Sequence, residues 1–428
     1  DRLAEQAAHE TARLMRREAW ALRNEPPREG EEDESAAAKR AGAHLKWAVQ
    51  CGNARRLSAM LNVAQPYLLR EIEALDADAY LFNAANGTLD LRAEARGEPL
   101  LRRHRREDLI SRISPAAYEP EAGCAAFHQF MHFIVPDADA QVFLQRYFGY
   151  ALTGDVSEQV LLLLHGRGQN GKSTLCDIVS HIIGDYGVHI AFASLLHDER
   201  RRGGDATPDL ARLPGARLVL ASEPENGARF SESMVKSLTG GEAVSARHLN
   251  QGFFEFKPQF KLLLSANEKP SVRGQDDGIW RRVLLVPFGQ KVPEHLKDKH
   301  LPDKLRAEAS GILNWLLDGA RLWLERGLEI PDSVREAVKD YRAENDPVGQ
   351  FIESCCEVDG GANVAAKRLY AAYTRWSEDS ALQPLGQTAF GRRLSDKGFA
   401  SLKVGVMYRC GLRLLPEWDD AQTGAFDD

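Results

Sequence analysis

The sequence predicts an α/β fold: a largely parallel sheet at its centre, an α+β domain and helical collar ahead of it, and a helix-plus-wing domain behind it. Three observations carry that expectation. Short, nearly continuous aliphatic runs recur between residues 158 and 290, as in parallel strands buried on both faces. A glycine-rich stretch joins the first of these runs to a helical segment. Residues 346–428 read as helices followed by two short strands, a separate small layer structure.

In chain order, residues 1–24 have the mixed-charge amphipathic pattern of a helix. PPREGEEDES at 26–35 reads as a linker, because proline and acids leave too little apolar area to pack. Helical periodicity resumes from 36 to 75, and in YLFNAANGTLDL (80–91) Asn86-Gly87 separates two apolar runs, which predicts a β-hairpin. RRHRRED at 102–108 is basic without an assignable role. AFHQFMHFIV and DADAQVFLQRYFGYAL read as two collar helices, the second capped by Asp137 or Asp139. Strands are expected at QVLLLLH, ARLVLAS, KLLLSAN and RRVLLVPF, with the helix TLCDIVSHII after the first. Helices follow over 297–345, and TAFGRRLSDKG before KVGVMYRCGLRLL ends the chain as a helix and wing. The expected boundaries are 1–115, 116–157, 158–290, 291–345 and 346–428.

With 428 residues, 43% hydrophobic and 27% charged, the chain has the composition of a multidomain globular protein, not of a fibrous or disordered one. The longest aliphatic run, VLLLL at 160–164, ends at His165, far short of the ~20 apolar residues that cross a bilayer. Six cysteines at 51, 124, 176, 355, 356 and 410 include no CxxC pair, so neither a zinc site nor a disulfide framework is expected and a reducing cytosol fits. A chain that opens on Asp1 instead of Met is expected to continue from an upstream segment.

GRGQNGKST, Gly166 to Thr174, fits G-x-x-x-x-G-K-[ST]. A buried strand runs into it and a helix ending at Gly184 runs out. Glycines let backbone N–H groups curl around an anion, the helix N-terminus adds its dipole, Lys172 reaches the β and γ phosphates, and the Ser173 hydroxyl ligates Mg²⁺. Hydrolysis also needs a carboxylate at the tip of a neighbouring strand, and RLVLASE supplies Glu223. Ser222 precedes it in place of a second acid, so either Glu223 does both tasks or Glu225 helps. KLLLSAN ends in Asn267, able to orient a water or sense a phosphate, though an Asn at a strand end also serves as a turn former. Arg281 and Arg282 open the next strand; they suit phosphate oxygens, with a structural ion pair as the alternative.

These blocks, together with VKSLTGGEAVSARHLNQGFFEFKPQFKLLLSANEKP and DDGIWRRVLLVPF in that order and spacing, resemble the superfamily 3 helicases. More narrowly they resemble the phage and plasmid primase-helicase family related to the poxvirus primase-helicase. NAANGTLDL, LQRYFGYALTGD, YRAENDPVGQFIE and TAFGRRLSDKGF extend the likeness over roughly residues 40–415. The resemblance implies an AAA+ type P-loop ATPase core, with an N-terminal α+β domain, a helical collar and a C-terminal winged-helix domain. It implies a hexameric ring that hydrolyses ATP with Mg²⁺ between subunits and moves 3′ to 5′ on single-stranded and forked DNA, in the cytoplasm of a bacterial host carrying a phage or mobile element. Carried over residue by residue, Gly166, Gly168, Asn170, Gly171, Lys172, Ser173 and Thr174 hold the nucleotide, and Ser173 and Glu223 hold the metal. Glu223 activates water, Asn267 is the sensor, Arg281 or Arg282 is an arginine finger, and Lys236 helps complete the neighbour's site. If the family's primase domain exists it would precede Asp1, since no paired set of polymerising carboxylates is evident, and a polymerase is a further implied partner.

SARHLNQGFFEF (245–256) reads as a hairpin about Asn250-Gln251-Gly252. Arg247, His248 and Asn250 at its tip would meet a DNA backbone without regard to sequence; an ordinary surface hairpin is the alternative. Residues 363–415 carry nine Lys or Arg (Lys367, Arg368, Arg375, Arg392, Arg393, Lys397, Lys403, Arg409, Arg413) against three acids (Glu378, Asp379, Asp396), in a chain of net charge -7. This local excess reads as an interaction patch, with Arg392, Arg393 and Lys397 as DNA contacts. Three rival classes differ in their demands. A small-molecule kinase needs an arginine-rich lid, an ATP-gated origin-binding assembly needs no catalytic carboxylate, and a duplex-packaging motor needs no pore hairpin.

Overall fold

In a computed structural model the described residues are 2–23, 34–51, 53–68, 74–196, 207–222, 228–249 and 251–419. The chain forms two compact units, Asp1–Leu75 and Asp76–Asp428. The first contains the helices α1 (Arg2–Leu22), α2 (Glu34–Cys51) and α3 (Ala54–Leu68). Buried Ala19, Ala41 and Ala48 have side chains short enough to let helices approach closely. The linker expected at 26–35 lies outside the described residues except for Glu34 and Ser35, which open α2.

The N-terminal domain expected over 1–115 is therefore divided. Residues from Asp76 belong to the second unit, because their antiparallel sheet has no core of its own. Its strands are β1 (Leu81–Ala84), β2 (Gly87–Asp90) and β3 (Leu101–Arg102), in the order β1-β2-β3. Phe82 and Leu89 are fully buried in the same core as the collar helices α4 (Ala125–Ile134) and α5 (Ala138–Tyr150). Phe82 stacks on Tyr186 with ring centroids 4.6 Å apart, and the Asn83 N–H donates to the Tyr186 hydroxyl at 3.0 Å. Asp137 is the cap of α5: its carboxylate accepts from the Asp139 and Ala140 N–H groups.

The central sheet has five parallel strands: β4 (Leu161–His165), β5 (Gly187–Ala191), β6 (Leu218–Ser222), and, beyond the hairpin strands β7 (Val244–Arg247) and β8 (Phe253–Phe256), β9 (Lys261–Ala266) and β10 (Val283–Pro287). Their order is β10-β4-β9-β6-β5. The chain is thus mixed α/β with a parallel sheet. Strand side chains alternate in direction. Leu162 and Leu164 face the collar, α6 (Lys172–Ile183) and, after α7 (Glu232–Thr239), α8 (Asp277–Trp280) and α9 (Leu301–Ala307), the long α10 (Ala309–Arg326). Leu161 and Leu163 face a second core that includes Val235 of α7 and Tyr341 of α11 (Asp332–Glu344). Burial on both faces is what made these strands legible as apolar runs. Strand β5 escaped that signal: at the sheet edge its residues alternate, with His189 exposed between buried Val188 and Ile190.

The collar and the 291–345 helices are one layer, not two domains, because α5 and α10 cross with their backbones in contact. A Cβ on Gly149 would lie 2.0 Å from the Ala320 nitrogen, and one on Gly319 would lie 1.9 Å from the Gln145 carbonyl oxygen. The C-terminal elements are α12 (Pro347–Cys355), β11 (Cys356–Ala365), α13 (Ala366–Asp379), α14 (Gln387–Asp396), β12 (Ser401–Val404) and β13 (Val406–Leu414). They enclose their own core around Phe351, Tyr373 and Phe390. The sheet order is β11-β13-β12. Strand β11 was not evident in the sequence, since Gly360-Gly361 interrupt it and its register shifts between Val358 and Asn363.

Candidate active site

The strand order leaves β4 between β10 and β9, with the chain returning on both sides, and ligands in open α/β sheets bind in the crevice outside the carboxyl ends of strands at such a reversal. The glycine-rich loop begins there. Gly168 and Gly171 have φ of 72° and 82°, a left-handed backbone that glycine adopts without strain. Gly166 is required for another reason: its Cβ would lie 2.3 Å from the Asn170 side-chain nitrogen. That nitrogen donates to the Phe288 carbonyl at 3.0 Å, holding the loop against the end of β10.

Lys172 is buried at the first turn of α6. Its ammonium donates to the Gly166 carbonyl at 2.5 Å, to Asn170 Oδ1 at 3.1 Å and to Asn267 Oδ1 at 3.2 Å. The fold therefore brings the loop lysine and the amide at the end of β9 together, 95 residues apart in sequence. A positive-φ loop, a helix N-terminus and a buried cation make a donor set that fits a phosphate. Ser173 is exposed and Thr174 half-buried in the same turn. Strand β6 is parallel to β9 and ends at Ser222, so the chain leaves it at the same edge of the sheet. Glu223 and Glu225, expected just beyond, lie outside the described residues. Among the described residues no group of three or more His, Cys, Asp or Glu could hold a metal ion, and no helix is long and apolar enough to cross a membrane. His165, which ends β4, was missed in the sequence. Burial, and then Lys269 and Lys172, lower its pKa and keep the imidazole neutral.

Arg281, Arg282 and Lys236 gather at the opposite edge. Arg282 precedes β10, and its carbonyl accepts from the Leu161 N–H at 2.7 Å, at the start of β4. The five-residue strand separates them from the glycine loop by roughly 16 Å. The two arginines differ. Arg282 is buried, its guanidinium donating to Thr239 Oγ1 at 3.2 Å, the Gly278 carbonyl at 2.6 Å and Gln159 Oε1 at 3.3 Å. Arg281 is exposed and reaches Gln159 Oε1 at 3.4 Å. Lys236 donates to the Asp276 carboxylate at 3.0 and 3.3 Å, which lowers the pKa of that acid. Asp276 also caps α8; an Asp ahead of a short helix was the available signal for it.

The 245–256 hairpin is present as β7 and β8, paired Val244↔Phe256 through Arg247↔Phe253. Arg247 Nε donates to the Gln251 carbonyl at 3.0 Å, and the His248 ring stacks on Phe254 at 5.5 Å. Asn250 lies outside the described residues. Of the C-terminal candidates, Arg392 is exposed on α14. Arg393 donates to the Arg273 carbonyl and Lys397 pairs with Asp346, so both basic groups are engaged within the chain. The nearby charge excess is also partly consumed. Arg409 is buried against the Gly391 and Phe399 carbonyls and Ser395, and Arg413 meets Asp359 at 2.7 Å.

The chain matches the D5 N-terminal-like family over residues 1–136, a family of unknown function over 164–282, and the poxvirus D5 protein-like family over 343–401. A protein named as a candidate helicase, L207/L206 of Acanthamoeba polyphaga mimivirus, is 29% identical over 299 residues, 65% of this chain and 30% of that protein. A protein named as a candidate primase, C962R of African swine fever virus, is 26% identical over 216 residues, 50% of this chain and 22% of that protein. The solved C-terminal region of NrS-1 has a TM-score of 0.44 at 15% identity, covering 62% of this chain and 58% of that one. The chain spans less than a third of the length of these curated relatives.

Proposed function

We propose, from the premise that this chain is a member of a primase-helicase-like family, that it is an ATP-driven superfamily 3 DNA helicase with an AAA+ type core and a C-terminal winged-helix domain. One observation carries the reading: the 3.2 Å bond between the Lys172 ammonium and Asn267 Oδ1. It joins the phosphate loop to the tip of the neighbouring strand, where hydrolysis must be sensed.

In this reading Gly166, Gly168, Asn170, Gly171, Lys172, Ser173 and Thr174 hold ATP. Lys172 exchanges its loop carbonyl and amides for the β and γ phosphates, and Asn267, released from the ammonium, orients the attacking water. Ser173 and Glu223 would hold Mg²⁺, which when bound neutralises charge on the transferring phosphoryl group. Glu223 would take the proton of that water. The wide separation of Arg281 from the glycine loop supports a finger that serves the next subunit's nucleotide, and hence a ring. Exposure favours Arg281 over Arg282 for this role, since Arg282 is committed to three bonds inside its own chain. Lys236, beside α8, belongs to the same face. The β7–β8 hairpin would line the pore and meet single-stranded DNA, with movement 3′ to 5′; Arg392 is the C-terminal residue best exposed for DNA.

The test is ATP-dependent unwinding of a forked DNA, run beside the ATPase rate with and without single-stranded DNA, for the wild type and Glu223→Gln. Unwinding that the variant loses is the expected result. Hydrolysis without unwinding or DNA stimulation would instead favour an origin-binding assembly or a packaging motor.

A further inference from the structure

Residues directly opposite in an antiparallel pair share a face. The register of β7 and β8 puts Val244, Ala246, Phe254 and Phe256 on one face, packed on the core beneath the sheet, and Ser245, Arg247, Phe253 and Glu255 on the other. A half-buried hairpin should alternate apolar inside with polar outside. Three outward positions obey. Phe253 does not: it is 55% exposed, and Leu249 at the turn is 71% exposed. The Arg247 guanidinium lies over the Phe253 ring, 5.3 Å from its centroid. Arg247 is itself held by Gln251 across the turn, so a cation and an aromatic face are presented together on a short, braced element.

We propose that Phe253, with the exposed Leu249 of the same turn, forms a stacking platform for an unpaired nucleobase, while Arg247 meets the adjoining phosphate. This rests on the DNA-translocating reading above, keeps its Arg247 as the phosphate contact and adds Phe253 and Leu249, which that reading does not use. The chemistry selects the occupant. A bare aromatic face next to a cation suits a single strand, whose bases expose their π faces and whose backbone is anionic, and every base can stack, so contact is independent of sequence. A duplex offers no such face, because its bases are stacked on one another.

The experiment measures binding of a labelled oligo-dT to the full chain by anisotropy across a salt series, with a non-hydrolysable ATP analogue. Phe253→Ala should weaken binding roughly 10-fold or more with the salt slope unchanged and the thermal midpoint intact. Arg247→Ala should reduce that slope by about one. Phe253→Trp should retain affinity, and its added indole emission should be quenched by oligo-dT. Wild-type affinity in Phe253→Ala, or emission of Phe253→Trp that ignores DNA, overturns the platform and leaves the helicase reading standing. Loss of self-association by Phe253→Ala in sedimentation without DNA makes the patch a subunit contact and likewise overturns it. A wild type that binds no single strand overturns the helicase reading and the platform together.

Discussion

Lys172 is a buried cation whose partners include the neutral Gly166 carbonyl and the Asn170 and Asn267 amides. Lys172→Ala should reduce ATP turnover to background, because the phosphates lose their fixed charge; normal hydrolysis by that variant would remove the nucleotide reading. The two arginines separate stability from activity. Arg282→Ala leaves the Thr239 hydroxyl and the Gly278 carbonyl without their guanidinium donor, while Gln159 keeps Arg281, and should cost about 2–3 kcal/mol in urea unfolding. Arg281→Ala, at an exposed position, should change stability by less than about 0.5 kcal/mol yet lower ATPase activity. Mixing Arg281→Ala with Glu223→Gln subunits should restore part of the lost rate, and no rescue at any ratio would count against a finger acting in trans. For His165 the sign follows from its lowered pKa. Its neutral form stabilises the fold fully above the unfolded value of about 6.5, and that contribution is lost as pH falls through the lower folded value. His165→Gln should therefore reduce the fall in urea midpoint on acidification from about pH 7 to pH 5, without abolishing it, since burial also lowers His181.

Among the elements, legibility followed burial and local chemistry. Strands β4, β6, β9 and β10 are buried on both faces and announced themselves as aliphatic runs. Strand β5 at the edge and the interrupted β11 did not. Asp137 could be named as one of two caps from sequence, but the choice between it and Asp139 needed the chain's path. The crossing of α5 and α10 had no sequence signature beyond two isolated glycines. Gly319→Ala would drive a methyl into the Gln145 carbonyl and should destabilise by roughly 1–3 kcal/mol, as overpacking does. A thermal midpoint unchanged from wild type would mean that the helices separate freely at that point.

At the scale of the whole second unit, two buried basic side chains bind its layers. Arg217 donates to the carbonyls of Ala79, Leu152, Asp78 and Leu81. Lys261 donates to the Thr153 carbonyl at 2.6 Å and lies over the Tyr150 ring. Arg217→Ala strips its donors from buried carbonyls and should cost about 3 kcal/mol, loosening the β1–β3 sheet from the core, visible as coincident loss of protection by hydrogen exchange in 78–84 and 150–154. The sequence by itself determined the parallel α/β core and the glycine-rich loop that follows its first strand, because strand burial and a tight left-handed turn demand particular residue types at short, contiguous spacing. Only the tertiary structure decided that Lys172 meets Asn267, that Arg281 is exposed where Arg282 is bound, that Arg393 and Lys397 are engaged within the chain, and that residues 76–115 belong with the core. Each depends on contacts between residues tens to over a hundred positions apart, and no local pattern encodes which distant carbonyl or carboxylate a side chain will find.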